Sequence, residues 1–136
     1  DYTDLTDGGV SALHIHDHGT LSGLADNDHA QAFQDDLVPP GTTQTIDLST
    51  GNNWTIDLAS ATGDVTLTLS NPIAGAIYLI KVIQGAVARD LIWPGTVFWI
   101  GGTPPVITIT DNALDIVQLL WDGTNYISLF NQDFSS

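Results

Sequence analysis

Between residues 42 and 69, polar and apolar positions alternate in three short runs: Thr45-Ile46-Asp47-Leu48, Thr55-Ile56-Asp57-Leu58 and Thr66-Leu67-Thr68-Leu69. Period-two alternation sends one set of side chains to a buried face and the other to solvent, which predicts half-buried β-strands. Their starts lie roughly ten residues apart with Gly, Asn or Asp between, the spacing of a sandwich or jelly roll. Residues 76–84 and 114–121 differ, because both alternate sets are apolar. Ile77, Leu79 and Ile83 oppose Tyr78, Ile80 and Val82; Leu114, Ile116 and Leu120 oppose Val117, Leu119 and Trp121. Such a strand, in a unit too small to cover it with helices, predicts burial against another sheet and another chain. The subunit interface is expected on one of these faces. Further strands are expected at 90–93, 97–100, 106–110 and 125–130, separated by Pro94-Gly95, Gly101-Gly102-Thr103-Pro104-Pro105 and Asp122-Gly123. No long helix is expected.

The N-terminal part reads differently. Residues 1–9 are polar and end in the turn signal Asp7-Gly8-Gly9, as a linker would. From 10 to 34 the apolar residues Leu13, Ile15, Leu21, Leu24 and Phe33 follow neither a heptad nor an alternation. Such a segment cannot fold alone, but three copies wrapped around one another would bury it. A short helical turn is expected at 26–33, capped by Asp26 or Asp28. At Val38-Pro39-Pro40-Gly41 two prolines fix the backbone and remove its donors, marking a boundary. The expected architecture is all-β: a short intertwined trimeric shaft or linker over 1–38, then a β-sandwich or jelly-roll-like head over 39–136.

Charge narrows the function. Lys81 and Arg89 stand against 16 acidic residues, a formal net charge of -14. A nucleic-acid backbone needs Lys and Arg to displace its counterions, so nucleic-acid binding is close to excluded, and anionic membrane surfaces are disfavoured for the same reason. The charge also keeps the protein dispersed, and is compatible with a saline habitat. With 43% hydrophobic and 13% charged residues over 136 positions, the chain folds but has few charges to cover its surface, so apolar surface is expected to meet another subunit. Cysteine is absent and no disulfide framework exists; methionine is absent too, which predicts the end of a longer protein. Neither a signal peptide nor a membrane-crossing run is present, and membrane insertion is not expected.

All four histidines lie between residues 14 and 29. His14 and His16, at i and i+2, share one face of an extended strand. Three parallel copies around a threefold axis bring six imidazoles to one point, which suits an octahedral transition metal better than zinc's four-ligand tetrahedron. His18 lies one step further on the same face and extends the site or orients a ligand. His29 reads as a surface or interface residue beside a carboxylate. The Asp26 and Asp28 pair reads as capping or solvated.

The run His14-Ile15-His16-Asp17-His18-Gly19 with Leu21, Gly23-Leu24, Asp26-Asn27-Asp28-His29 and Gln31 resembles the shaft-to-head segment of bacteriophage tail fibres and virion spikes. It departs from that pattern at Asn27, within the acidic triplet, and at Phe33, which stands two residues after Gln31. Downstream, 75–85, Trp93-Pro94, Trp99-Ile100-Gly101-Gly102 with Pro105, and Trp121-Asp122-Gly123 with Tyr126 resemble the small β head domains that end such fibres. The resemblance implies a homotrimeric attachment protein of the virion, acting outside the cell. It implies a structural metal ion (iron, nickel or zinc) held on the axis by His14 and His16, with His18 beside it.

Enzymatic readings are weaker. His14-Ile15-His16-Asp17-His18 also resembles the metal signature of metallo-β-lactamase-type hydrolases, but is one residue short, which turns Asp17 and His18 to the wrong faces. No cysteine nucleophile, Gly-x-Ser-x-Gly elbow or phosphate loop with lysine is present, and no histidine follows His29. Glu is absent, leaving only Asp for a glycosidase-type carboxylate pair. A non-enzymatic protein is expected. Trp54, Trp93, Trp99, Trp121, Tyr78 and Tyr126 could stack on sugar faces, though most read as core. Trp54 and Trp99, beside Asn-rich and Gly-rich loops, are the candidates for contact with a host receptor, expected to be a glycan. The alternatives are a structural virion component without a receptor, and a lectin-like carbohydrate-binding module.

Overall fold

The computed structural model describes residues 34–39 and 41–134. Their regular structure is nine β-strands and two short 3-10 turns, at Leu58–Ser60 and Ile100–Gly102. A six-stranded sheet runs in the order β1 (Gln34–Leu37), β3 (Asn53–Asp57), β5 (Ile77–Ile83), β8 (Leu114–Trp121), β9 (Tyr126–Phe134), β7 (Val97–Phe98). A three-stranded sheet runs β2 (Thr43–Asp47), β4 (Val65–Ser70), β6 (Leu91–Ile92). The expected all-β class holds.

The winding is not that of a jelly roll. Up to β6, consecutive strands fall on alternate sheets, and β1 to β4 each pair in parallel with the strand two places on. The chain therefore climbs like a solenoid, with one rung per pair of strands. The ten-residue spacing measures half a rung, not a hairpin. Corners, not reversals, separate the strands: the Asp47 carboxylate accepts from the Ser49 N–H at 3.0 Å, and that of Asp57 accepts from the Ala59 N–H at 2.9 Å. Both are Asx turns, which bend the chain by satisfying its next free donors. Rungs stack closely at these corners, and a Cβ on Gly85 would lie 2.7 Å from the Ala59 Cα.

Above β5 the pattern changes. β8 pairs antiparallel with β5 and with β9, closing the large sheet with a hairpin whose turn is held by Asp122 Oδ1, the acceptor for Thr124 and Asn125 N–H. The expected strand at 106–110 does not form. Side chains satisfy its backbone instead of a ladder: Thr108 N–H donates to Asp115 Oδ2 at 2.7 Å, and Thr108 C=O accepts from Gln84 Nε2 at 3.0 Å.

The core joins inward residues of both sheets, among them Ile46 and Leu67 from the small sheet and Ile56, Ile80, Val82 and Val117 from the large one. Sequence parity survives this change of topology, since Ile46, Ile56 and Leu67 are buried as their alternation requires. β1 pairs with β3, so the large sheet begins ahead of the Pro39-Pro40 break.

Candidate functional site

The two sheets differ in the chemistry they present outward. On the small sheet, Thr43 pairs with Thr66 and Thr45 with Thr68, a mainly polar surface closed by Asp47, with the exposed Ile92 beside Thr66. On the large sheet, register aligns Ile77, Leu120 and Ile127 in one row, Leu79, Gln118 and Leu129 in the next, and Lys81, Ile116 and Asn131 in the third. Phe98 of β7 extends the first row from Ile127. Six of these nine positions are apolar, and none carries a carboxylate. The outermost, from Leu120 at 40% to Leu129 at 54% exposed, are open in the single chain. A groove of about 280 Å3 runs among Ile77, Gln118, Leu120, Ile127 and Leu129. Alternation explains the arrangement: Tyr78, Ile80, Val117 and Leu119 fill the core, so the intervening residues must face out.

A second concavity of about 200 Å3 is lined by Trp99, Ile100, Thr103, Pro105, Ser128 and Phe130. Trp99 sits edge-to-face against Trp93, with centroids 5.2 Å apart at 70°. Gly101 and Gly102, both at φ near +79°, shape the turn after it. Ser128 Oγ donates to the Phe98 carbonyl at 2.7 Å.

The two sequence candidates for receptor contact thus separate. Trp99 is half-buried at the cleft, while Trp54 is 2% exposed and tilts against Tyr78 in the core at 5.9 Å. Trp54 shares parity with Ile56, the signal that places it inside. Thr103 belongs to the Gly-rich loop that already marked Trp99 in the sequence, whereas Ser128 and Phe130 were missed as its neighbours, because the parallel pairing of β7 with β9, not chain proximity, joins them. His14, His16 and His18 lie outside the described residues, as do His29 and the helical turn expected at 26–33. Among the described residues, no group of three or more His, Asp or Glu side chains is placed to hold a metal ion.

Among the described residues, three ionisable groups are shifted. Hydrogen bonds from Ser49 hold Asp47 below the usual carboxylate value, and the Asn125 and Thr124 N–H groups do the same for Asp122. Burial, with Tyr78 adding to it, pushes the Tyr126 phenol up to about 12. All three serve structural turns or the core. Comparison with protein-family models, characterised proteins and solved structures finds no match for this chain. The surfaces alone carry the functional argument.

Proposed function

We propose that this chain is the head and adjoining shaft of a homotrimeric fibre or spike of a bacteriophage-type virion, and that it attaches the particle to a host surface receptor without catalysis. The observation that carries the reading is the mostly apolar outer face of β5, β8 and β9, whose three central rows of register partners hold no carboxylate. Each copy bears a formal charge of -14, so copies repel wherever acidic surfaces meet. On this face they meet apolar side chains, and its occupant is a second copy of the same chain.

Size decides how far this face can act alone. Three strands about 4.8 Å apart and seven residues long give a face of roughly 14 Å by 24 Å. That is on the order of 350 Å2 in plan, short of the roughly 800 Å2 each partner gives to a stable interface. The head therefore associates weakly by itself, and the N-terminal segment supplies the remainder. In this reading His14 and His16 from three chains bind a transition-metal ion that fixes register and holds the copies together, with His18 beside it.

Native mass spectrometry with metal analysis tests the proposal. The expected species is a trimer carrying one transition-metal ion per three chains, which loses the ion when His14→Ala and His16→Ala are combined. Leu129→Asp is expected to shift the assembly to monomer by placing a carboxylate on the face. A metal-free monomer at micromolar concentration overturns the fibre reading and returns the chain to a lectin-like module.

A further inference from the structure

We infer that the cleft beside Trp99 binds one ring of an uncharged saccharide. The inference names the receptor chemistry of the attachment reading and rests on it. The walls supply the first argument. Trp99 and Phe130 are aromatic and half-buried, and the buried Trp93 fixes the Trp99 ring by its edge-to-face contact. A held indole is a platform for the apolar C–H face of a pyranose, and it loses little rotational freedom when the sugar docks.

The polar atoms supply the second. Ser128 spends its hydroxyl hydrogen on the Phe98 carbonyl and keeps acceptor lone pairs. Thr103, exposed at the rim, offers both a donor and an acceptor. A ligand bearing several hydroxyls suits that set. Charge supplies the third. Among the described residues, no ionisable side chain lines the cleft, and of Lys81 and Arg89, Lys81 stands on the outer face of β5 while Arg89 Nε donates to the Ala61 carbonyl. An anionic sugar would approach against a net charge of -14 and find no cation, so the ligand is neutral. The volume of about 200 Å3 lies below that of sites for drug-sized ligands, which selects a single ring.

The cleft and the association face do not compete. Ser128 and Phe130 alternate along β9 with Ile127 and Leu129, so the cleft opens on the opposite side of the sheet from the face given to a second copy.

Saturation-transfer NMR and titration of the whole chain with methyl glycosides of glucose, galactose, mannose and N-acetylglucosamine test the inference, with N-acetylneuraminic acid as the anionic probe. At least one neutral glycoside is expected to bind, with transfer strongest at its ring C–H protons, and N-acetylneuraminic acid is expected not to. Trp99→Ala should weaken binding about tenfold or more and Trp99→Phe should restore most of it. Thr103→Phe, on the exposed rim and clear of the core, should block the cleft with the circular dichroism spectrum unchanged. Absence of binding by every neutral glycoside, equal binding by Trp99→Ala and Thr103→Phe, or preference for N-acetylneuraminic acid overturns the inference. A trimer that binds no sugar removes the cleft and leaves the assembly reading standing. A monomer that binds through Trp99 removes the assembly reading and leaves the cleft.

Discussion

Gln84 and Asp115 carry more of this fold than their polarity announces. Gln84 is 1% exposed and fully satisfied: its amide donates to the Arg89 and Thr108 carbonyls and its oxygen accepts from Gly85 and Arg89 N–H. Asp115, wholly buried, accepts from Thr108 N–H, Thr108 Oγ1 and Asp133 N–H. Removing either partner leaves buried backbone groups unpaired, so Gln84→Leu should cost about 3 kcal/mol and Asp115→Asn about 2 kcal/mol in urea unfolding. Exposed carboxylates act through pH instead. Asp47 and Asp122 titrate below 3.8 in the folded chain, so the stability they lend is present above that value and is lost as the pH falls through their folded values. Combining Asp47→Asn with Asp122→Asn should flatten the fall of Tm below pH 4. Tyr126 has the opposite sign: its pKa is raised from 10.0 to about 12, so its contribution is complete below pH 10 and disappears as the pH rises to 12. Tyr126→Phe should remove that alkaline slope in a pH series of thermal melts.

Among the elements, the alternating strands were legible because period two is a local property. Expected runs beginning at Thr45, Thr55 and Thr66 fall on β2, β3 and β4, and the doubly apolar runs fall on β5 and β8. The partner of each strand was not legible. An Asx corner and a hairpin turn draw on the same Gly, Asn and Asp residues, and only the stacking of rungs chooses between them. The strand expected at 106–110 failed for a related reason, since Gln84 and Asp115, distant in sequence, took over its hydrogen bonds. Rung stacking can be probed at its tightest point. Gly85→Ala forces a methyl against the Ala59 backbone and should cost about 1–3 kcal/mol, read as a drop in Tm with the outer face unaltered.

For the whole molecule, the balance is between one apolar face and a net charge of -14. Screening by salt shortens the reach of the repulsion from about 30 Å at 0.01 M to about 3 Å at 1 M. Association through the face of β5, β8 and β9 should therefore tighten as salt rises. Sedimentation velocity across that range should show the assembled fraction growing, and a chain held together by ion pairs would show the reverse. In the proposed trimer, metal removal with a chelator should lower the assembled fraction most at low salt, where a face of that size is too small to hold like-charged copies.

Side-chain periodicity is local, and it was enough to establish the all-β class and the burial parity of most strands. Trp54 and Trp99 read alike in the sequence, each aromatic beside a loop. Folding separated them, because β3 turns Trp54 into the core while the pairing of β7 with β9 brings Ser128 and Phe130 to the loop that holds Trp99 and Thr103. Strand pairing, the solenoid winding and the cleft depend on contacts between residues far apart along the chain, whose closure costs entropy that only the assembled core repays.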